Sequence, residues 1–423
     1  MSMTDAERLA KNERIKETSK ATRLRRSAMD CRVYHLKLTP NKTAKNRLSL
    51  MFLEAKWLRN AAIAAGRFDE GFLNTVKTGC PVKTPSGEEQ RELTVLGSQM
   101  KQATLAQIRG DIKALVAAKR KGRKVGALRF AKEVASINLA QSGKTYNLDF
   151  KNKRVRIQNI GWVRARGFYQ LYGFRELANA KLLKKPDGFY LAVTAYFDKG
   201  SKKIPTTAGS AVGIDMGVST HIAISNGNGY ELKLNSQVSE PDHLRQLQRK
   251  LSRQIKGSNN WVKTVKQIRR QYQKIDNRKR DFANKVVHEL LKYETIYFQD
   301  EMLTSWRSKK NKSRMGRKLQ HSALGRIKAR LRNSEGAVML DRSLPTTQHC
   351  PECSVRTKHS LSQREFVCAG CGFTADRDIN AANNMIILGK LNTSGTDVRG
   401  GLLRPDEDSF VGQTRRSEKP QVL

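Results

Sequence analysis

The sequence contains no run approaching 18 consecutive apolar residues, which excludes a helix that spans a membrane, and no amphipathic anchor stands out. Its first thirty residues, MSMTDAERLAKNERIKETSKATRLRRSAMD, lack the apolar centre of a secretory signal, so a cytoplasmic location is expected. Cysteine is scarce, six in 423 residues, and four of the six fall in two CxxC pairs; in a reducing compartment that pattern favours metal over disulfide. There is no GxxxxGK[ST] loop and no Ser-His-Asp set, which sets aside P-loop and serine-nucleophile chemistry. Negative charge is also in short supply.

What is abundant is positive charge. Lys and Arg number 81 against 38 Asp and Glu, a formal net charge of +43. Such a surplus repels itself in a compact state and calls for a polyanionic partner. Nucleic acid is the first candidate, because each phosphate neutralised releases counterions and adds affinity without regard to sequence.

The length is enough for two or three domains. Residues 1–30 read as a basic arm, either a solvated tail or a segment that is mobile or helical only when bound. CRVYHLKLTP, residues 31–40, alternates and stops at Pro40 as a strand does. From Thr43 the period changes, with Leu48, Phe52, Ala55, Leu58 and Ile63 at helical spacing. Turn residues at 76–92 interrupt this helix before a second helical block runs from about Leu93 to Arg120. Strand patterns return over 136–198, where Pro186-Asp187-Gly188 marks a hairpin turn. These strands and the one at 31–40 suggest a β-barrel interrupted by a helical insertion at about 43–130. Beyond the linker at 201–210 the order is three strands, a long basic helical region, a strand, a helix and a strand. A cysteine segment and a final helix from about Ile379 follow, an α/β pattern around a mixed sheet.

Cys350-Pro-Glu-Cys353 and Cys368-Ala-Gly-Cys371 stand 14 residues apart, close to the spacing of structural zinc sites. Four thiolates close a tetrahedral shell around one Zn²⁺ and leave no open position for catalysis. The acids are a different case. Asp215 lies in the apolar strand Val212–Met216, where a carboxylate needs a partner or a metal, although strand-end solvation or a helix cap would also accommodate it. Asp300 and Glu301 end another apolar strand. Asp376 and Asp378 open the final helix, where one of them suits an N-cap. Carboxylates at the ends of separate apolar segments are the raw material of a two-Mg²⁺ phosphodiesterase centre.

VGIDMGV, FQDEML, QHSALGRIKARL, LPTTQHCPEC and CGFTADRDINAANN together resemble TnpB, the family of transposon-encoded RNA-guided nucleases related to compact type V CRISPR effectors. The likeness also takes in LGSQMKQATLAQIRGDIKAL and KGRKVGALRF, and so covers most of residues 31–390. It implies a multidomain α/β protein. Residues 31–208 would be a wedge β-barrel with an inserted helical recognition lobe. Residues 209–390 would be a RuvC (RNase H-like) nuclease with a zinc ribbon inserted at about 346–374, and the tail at 391–423 is expected to be disordered. The resemblance makes Asp215 and Asp378 the first and third catalytic acids, with two Mg²⁺ as cofactors and Asn380 as an orienting amide. The implied partners are guide RNA and target DNA, with nucleoid association when DNA is bound.

The second acid departs from the family's usual Glu-Asp-Leu, since this chain reads Gln299-Asp300-Glu301. Strand alternation puts Tyr297, Gln299 and Glu301 on one face and turns Asp300 to the other, which favours Glu301, displaced by one pleat repeat of roughly 6.5–7 Å. A compact type V effector, or a nuclease-dead RNA-guided regulator, are the rival readings.

Phosphate contacts are expected from Lys119, Arg120, Lys121, Arg123 and Lys124, a basic run in one short loop that suits a phosphate backbone better than a merely solvated face. Arg307, Lys309, Lys310, Arg317, Lys318 and Arg326, within a segment carrying eleven Lys or Arg in 28 residues, are placed against a guide–target heteroduplex. Trp57, Trp162, Trp261 and Trp306 are candidates for base stacking or for the core.

Overall fold

The computed structural model describes residues 5–76, 79–84, 86–201, 204–217, 222–227, 229–230, 240–307, 319–320, 322–360 and 363–393. The chain divides into two compact units, 1–203 and 204–423. No described helix is long and apolar enough to cross a membrane.

The first unit opens with helix α1 (Asp5–Ser27), whose last turn is tied down by ion pairs from Arg25 and Arg26 to Glu176 at 2.8 and 2.6 Å. The basic arm is thus helical over Asp5–Ser27 and anchored at its last turn. Strand β1 (Met29–Thr39) follows, then α2 (Lys42–Ala65), α3 (Glu70–Thr75), the hairpin β2 (Cys80–Thr84) and β3 (Gly87–Arg91), and α4 (Ser98–Arg120). The chain then supplies β4 (Ser136–Leu139), β5 (Tyr146–Asp149), β6 (Arg154–Ile157), β7 (Gly161–Arg166), β8 (Glu176–Lys185) and β9 (Gly188–Asp198). They form one antiparallel sheet ordered β4-β8-β9-β1-β7-β6-β5. Among the described residues no ladder joins β4 to β5, so the sheet is open in its hydrogen bonding where a closed barrel was expected; both end strands have only four residues. The α2 stripe Leu48, Met51, Phe52, Ala55 and Leu58 is buried in the same core as Leu36, Leu191 and Val193 of the sheet. Burying that stripe is what stabilises the inserted helix.

The second unit is built on β10 (Thr207–Asp215), β11 (Ile222–Ile224), β12 (Gly229–Tyr230), β13 (Tyr293–Gln299) and β14 (Ala337–Leu340), ordered β12-β11-β10-β13-β14. The first three pair antiparallel, and β13 runs parallel to both β10 and β14. Between β12 and β13 come α5 (Glu240–Ser252) and α6 (Asn259–Leu290), and α7 (Leu324–Leu331) precedes β14. The small hairpin β15 (Glu365–Val367) and β16 (Thr374–Asp376) leads directly into α8 (Arg377–Thr393). Alternation sorts the sheet's two faces. Val212, Ile214, Ile296 and Phe298 pack with Val286 and Leu290 of α6 and with Leu324, Ile327 and Leu331 of α7. On the other face Ala211, Tyr297 and Leu340 meet Met385 and Ile386 of α8. Two glycines allow that helix to lie flush. A Cβ at Gly213 would overlap the Ala382 carbonyl oxygen, and one at Gly389 would overlap the Tyr297 ring.

Candidate active site and metal centre

The four cysteines converge: their Sγ atoms all lie within 4.8 Å of one another, with Cys350 to Cys371 at 3.6 Å and Cys353 to Cys368 at 3.4 Å. Thiolates at the zinc–sulfur distance in a tetrahedron would sit about 3.8 Å apart, so the set fits one Zn²⁺. The two halves repeat the same turn. Ser354 N–H donates to the Cys350 carbonyl and Gly372 N–H to that of Cys368, each at 3.1 Å. Both residues following the second cysteine adopt the left-handed conformation, Ser354 at φ 63° and Gly372 at φ 73°. Backbone N–H groups of Cys371 and Gly370 point at the Cys368 sulfur and pull its pKa down to about 6, whereas at Cys371 the pull of the Phe373 N–H is outweighed by the neighbouring thiols, which push it up to about 12, so the charge of a bound metal is what would make the whole set thiolate.

Asp215 ends β10 on the face that carries α8. Its carboxyl is pushed up to about 7, first by burial and then by the negative charges of Asp378 and Glu301; Arg377 and the Met216 N–H pull weakly the other way. The charges of Asp378 and Glu301 thus reach Asp215 in the folded chain. The three acids do not close into a set as tight as the thiols, which are the one such group among the described residues.

Asp376 and Asp378 divide their tasks. Asp376 Oδ1 accepts from the N–H groups of Asp378 and Ile379, at 2.9 and 3.1 Å, and so caps α8. Asp378 stands in the first turn with the guanidinium groups of Arg364 and Arg377 at 3.6 and 3.7 Å. The Arg364 contact comes from the loop entering β15, a neighbour that sequence distance concealed.

The end of β13 differs from expectation. The strand stops at Gln299, and Glu301 N–H turns back to the Gln299 carbonyl at 2.8 Å, so strand alternation does not extend to residue 301. Lys328 of α7 donates to Asp300 Oδ1 and, at 2.6 Å, to the Glu301 carbonyl. This ion pair holds Asp300 below the usual carboxylate range, whereas burial raises Glu301. Sequence reading missed Lys328. Its register one residue past buried Ile327 on α7 was the available signal.

Gln299 is buried, donating through Nε2 to the carbonyls of Asp341 (3.0 Å) and Leu344 (2.9 Å) and accepting from Thr346 Oγ1 (3.3 Å). Asn380 is buried as well and reaches the His349 carbonyl at 3.1 Å, which makes it a tie to the cysteine segment where an amide orienting the acids was expected.

Of the basic residues expected to meet phosphate, Lys119 and Arg120 form the exposed end of α4, and Lys121, Arg123 and Lys124 continue exposed beyond it. Arg326 is exposed on α7 and ion-paired with Asp276. Arg307 closes the short 3-10 turn Ser305–Arg307, while Lys309, Lys310, Arg317 and Lys318 lie outside the described residues, as does the tail from 394 onward. Trp57 is a core residue, Trp306 packs at the edge of the second unit's core, and Trp162 is exposed with Arg154 stacked over it at 5.3 Å.

Comparison with known proteins adds two family matches: OrfB_IS605, described as "Probable transposase", over residues 197–295, and "Cas12f1-like, TNB domain" over residues 326–385. The chain is 28% identical over 260 residues to "Putative RNA-guided DNA endonuclease InsQ" of Escherichia coli (strain K12), covering 57% of this chain and 63% of that protein. It therefore spans less than two thirds of that relative's length. A TnpB-like protein of Aquifex aeolicus (strain VF5) is 26% identical over 249 residues, 51% of this chain and 79% of its own. In the cryo-EM structure of the Cas12f1–sgRNA–target DNA complex, a chain with 12% identity aligns over 81% of this chain and 82% of its own with a TM-score of 0.42.

Proposed function

We propose that the chain is a TnpB-like RNA-guided DNA endonuclease, in which a guide RNA pairs with the target and residues 209–390 form a RuvC-type nuclease; the family matches and the similarity to InsQ and to a TnpB-like protein support this reading. The sheet order β12-β11-β10-β13-β14, three antiparallel strands followed by two parallel ones, supports an RNase H-like reading of that segment. The observation that carries the proposal is Asp215, a carboxyl raised to about 7 partly by the charges of Asp378 and Glu301. A buried carboxyl whose anion is opposed by two further carboxylates belongs to a donor set suited to hard cations. Asp215, Glu301 and Asp378 would hold Mg²⁺, and bound Mg²⁺ supplies the positive charge that activates water and stabilises the leaving oxygen.

The chain's own residues prepare this arrangement. Lys328 neutralises Asp300 and fixes the Glu301 backbone. Asp376 takes the capping role, which leaves the Asp378 carboxylate for the centre, favoured there by the positive end of the α8 dipole. Cys350, Cys353, Cys368 and Cys371 would hold structural Zn²⁺. In this reading residues 31–208 are the wedge module with its recognition lobe, and Lys119, Arg120, Lys121, Arg123 and Lys124 contact phosphate.

Glu301→Gln keeps shape and removes charge. In the RNA-bound protein it should lower Mg²⁺-dependent cleavage by at least about 1,000-fold and leave guide-directed DNA binding intact. Asp300→Asn should be milder. Full cleavage by Glu301→Gln together with loss in Asp300→Asn would reverse the assignment, and guided binding by a parent protein that never cleaves would point to a regulator.

A further inference from the structure

Gln299 belongs to a buried hydrogen-bond chain that leaves the end of β13 and arrives at α8. Its two Nε2 hydrogens serve the Asp341 and Leu344 carbonyls, and its Oε1 takes the Thr346 hydroxyl. The Thr346 carbonyl in turn accepts from Asn384 Nδ2 at 2.8 Å, and the same amide donates to the His349 carbonyl at 2.6 Å. Asn380 Nδ2 donates to that His349 carbonyl too. Gln299, Thr346, His349, Asn380 and Asn384 are all at most 5% exposed. One end of this chain lies two residues before Glu301, the other two residues after Asp378, and its middle residue, His349, precedes Cys350.

We propose that Gln299 is a positioning residue: its amide latches the connector 341–346, and through it the cysteine segment and α8, to the strand end from which Glu301 turns. The proposal rests on the reading of Glu301 as the second acid. It also explains why a glutamine stands here. Both partners of Nε2 are carbonyl oxygens, which only accept, so position 299 must donate twice. A carboxylate there would face two acceptors and donate to neither, a buried mismatch. In this chain an acid at 299 and an intact latch are incompatible, and the acid has moved to the turn beyond the strand.

The test compares the full-length, RNA-bound parent with Gln299→Glu and Gln299→Met. Hydrogen exchange of residues 341–349 should rise about tenfold in both variants, with β10 and β11 unchanged. The Mg²⁺ concentration for half-maximal cleavage should rise about tenfold, with partial rescue at high Mg²⁺, while the target-DNA Kd stays within about twofold, a split that general destabilisation would not produce. Co²⁺ substituted at the four cysteines should keep its thiolate charge-transfer bands, showing that the ribbon is still folded. Unchanged exchange at 341–349 would overturn the latch, as would Gln299→Glu cleaving at parental or lower Mg²⁺. The exchange measurement decides the latch even if Glu301→Gln, run alongside, shows that Glu301 is not the acid.

Discussion

Asp215 illustrates how one side chain can link stability to function. Its carboxyl titrates near 7 in the folded chain against an ordinary 3.8, so the native state holds the proton more tightly than the unfolded state. That preference stabilises the fold fully below about pH 4 and is lost as the pH rises through 7. The Tm of the Mg²⁺-free protein, its cysteine site kept loaded with Zn²⁺, should therefore decline across this window. Asp215→Asn should remove the decline, raising Tm by a few degrees at pH 8 with no gain at pH 4, and Mg²⁺ added at pH 8 should stabilise the parent more than the variant. Identical pH profiles for the two proteins would contradict this account. The residue itself was legible in the sequence, because an acid inside VGIDMG is conspicuous. The partners of its neighbours were not: Lys328, Arg364 and the contacts of Gln299 depend on elements brought together from 14 to 47 residues away.

At the scale of elements, the cysteine ribbon is the piece least able to stand alone. Its hairpin has three residues per strand, and its apolar interior is little more than Phe366 and Phe373 beside the buried Cys350 and Cys368. A two-stranded ladder of that size is not stable by itself in water, so metal binding should supply its folding energy. Chelation is expected to abolish hydrogen-exchange protection over 349–376 while β10 and β13 stay protected, and one equivalent of Zn²⁺ per chain should restore it. Retained protection after chelation would refute this. The ribbon and the strand and helix order of the second unit could be read from spacing and period. The β2–β3 hairpin could not, because Gly87–Arg91 is polar throughout and carries no apolar alternation. Nor could the stop of β13 at Gln299, which is set by hydrogen bonds to a loop more than 40 residues later.

The whole molecule carries a net charge of +43, which gives salt two opposite effects. Screening should relieve self-repulsion and raise the Tm of the RNA-free protein as salt is added. The same screening should weaken binding of the proposed guide RNA, with log affinity falling linearly against log salt. Parallel melting and binding series would test both signs. An RNA-free Tm that does not respond to salt would mean that the surplus is already neutralised locally.

The seating of α8 on the sheet has a consequence for how this protein tolerates change. Gly213 and Gly389 contribute no side chain, no charge and no hydrogen-bonding group beyond the backbone, yet a single methyl at either would collide with the Ala382 carbonyl or the Tyr297 ring and lift the helix. Asp378 rides on that helix, while Asp215 is fixed to the strand beneath. The spacing of the acids is therefore gauged by two hydrogen atoms. Gly389→Ala, about three helical turns from Asp378, is the more telling substitution: a displacement of about 1 Å can cost about 100-fold in the rate of the proposed cleavage, with every acid and thiol still in place.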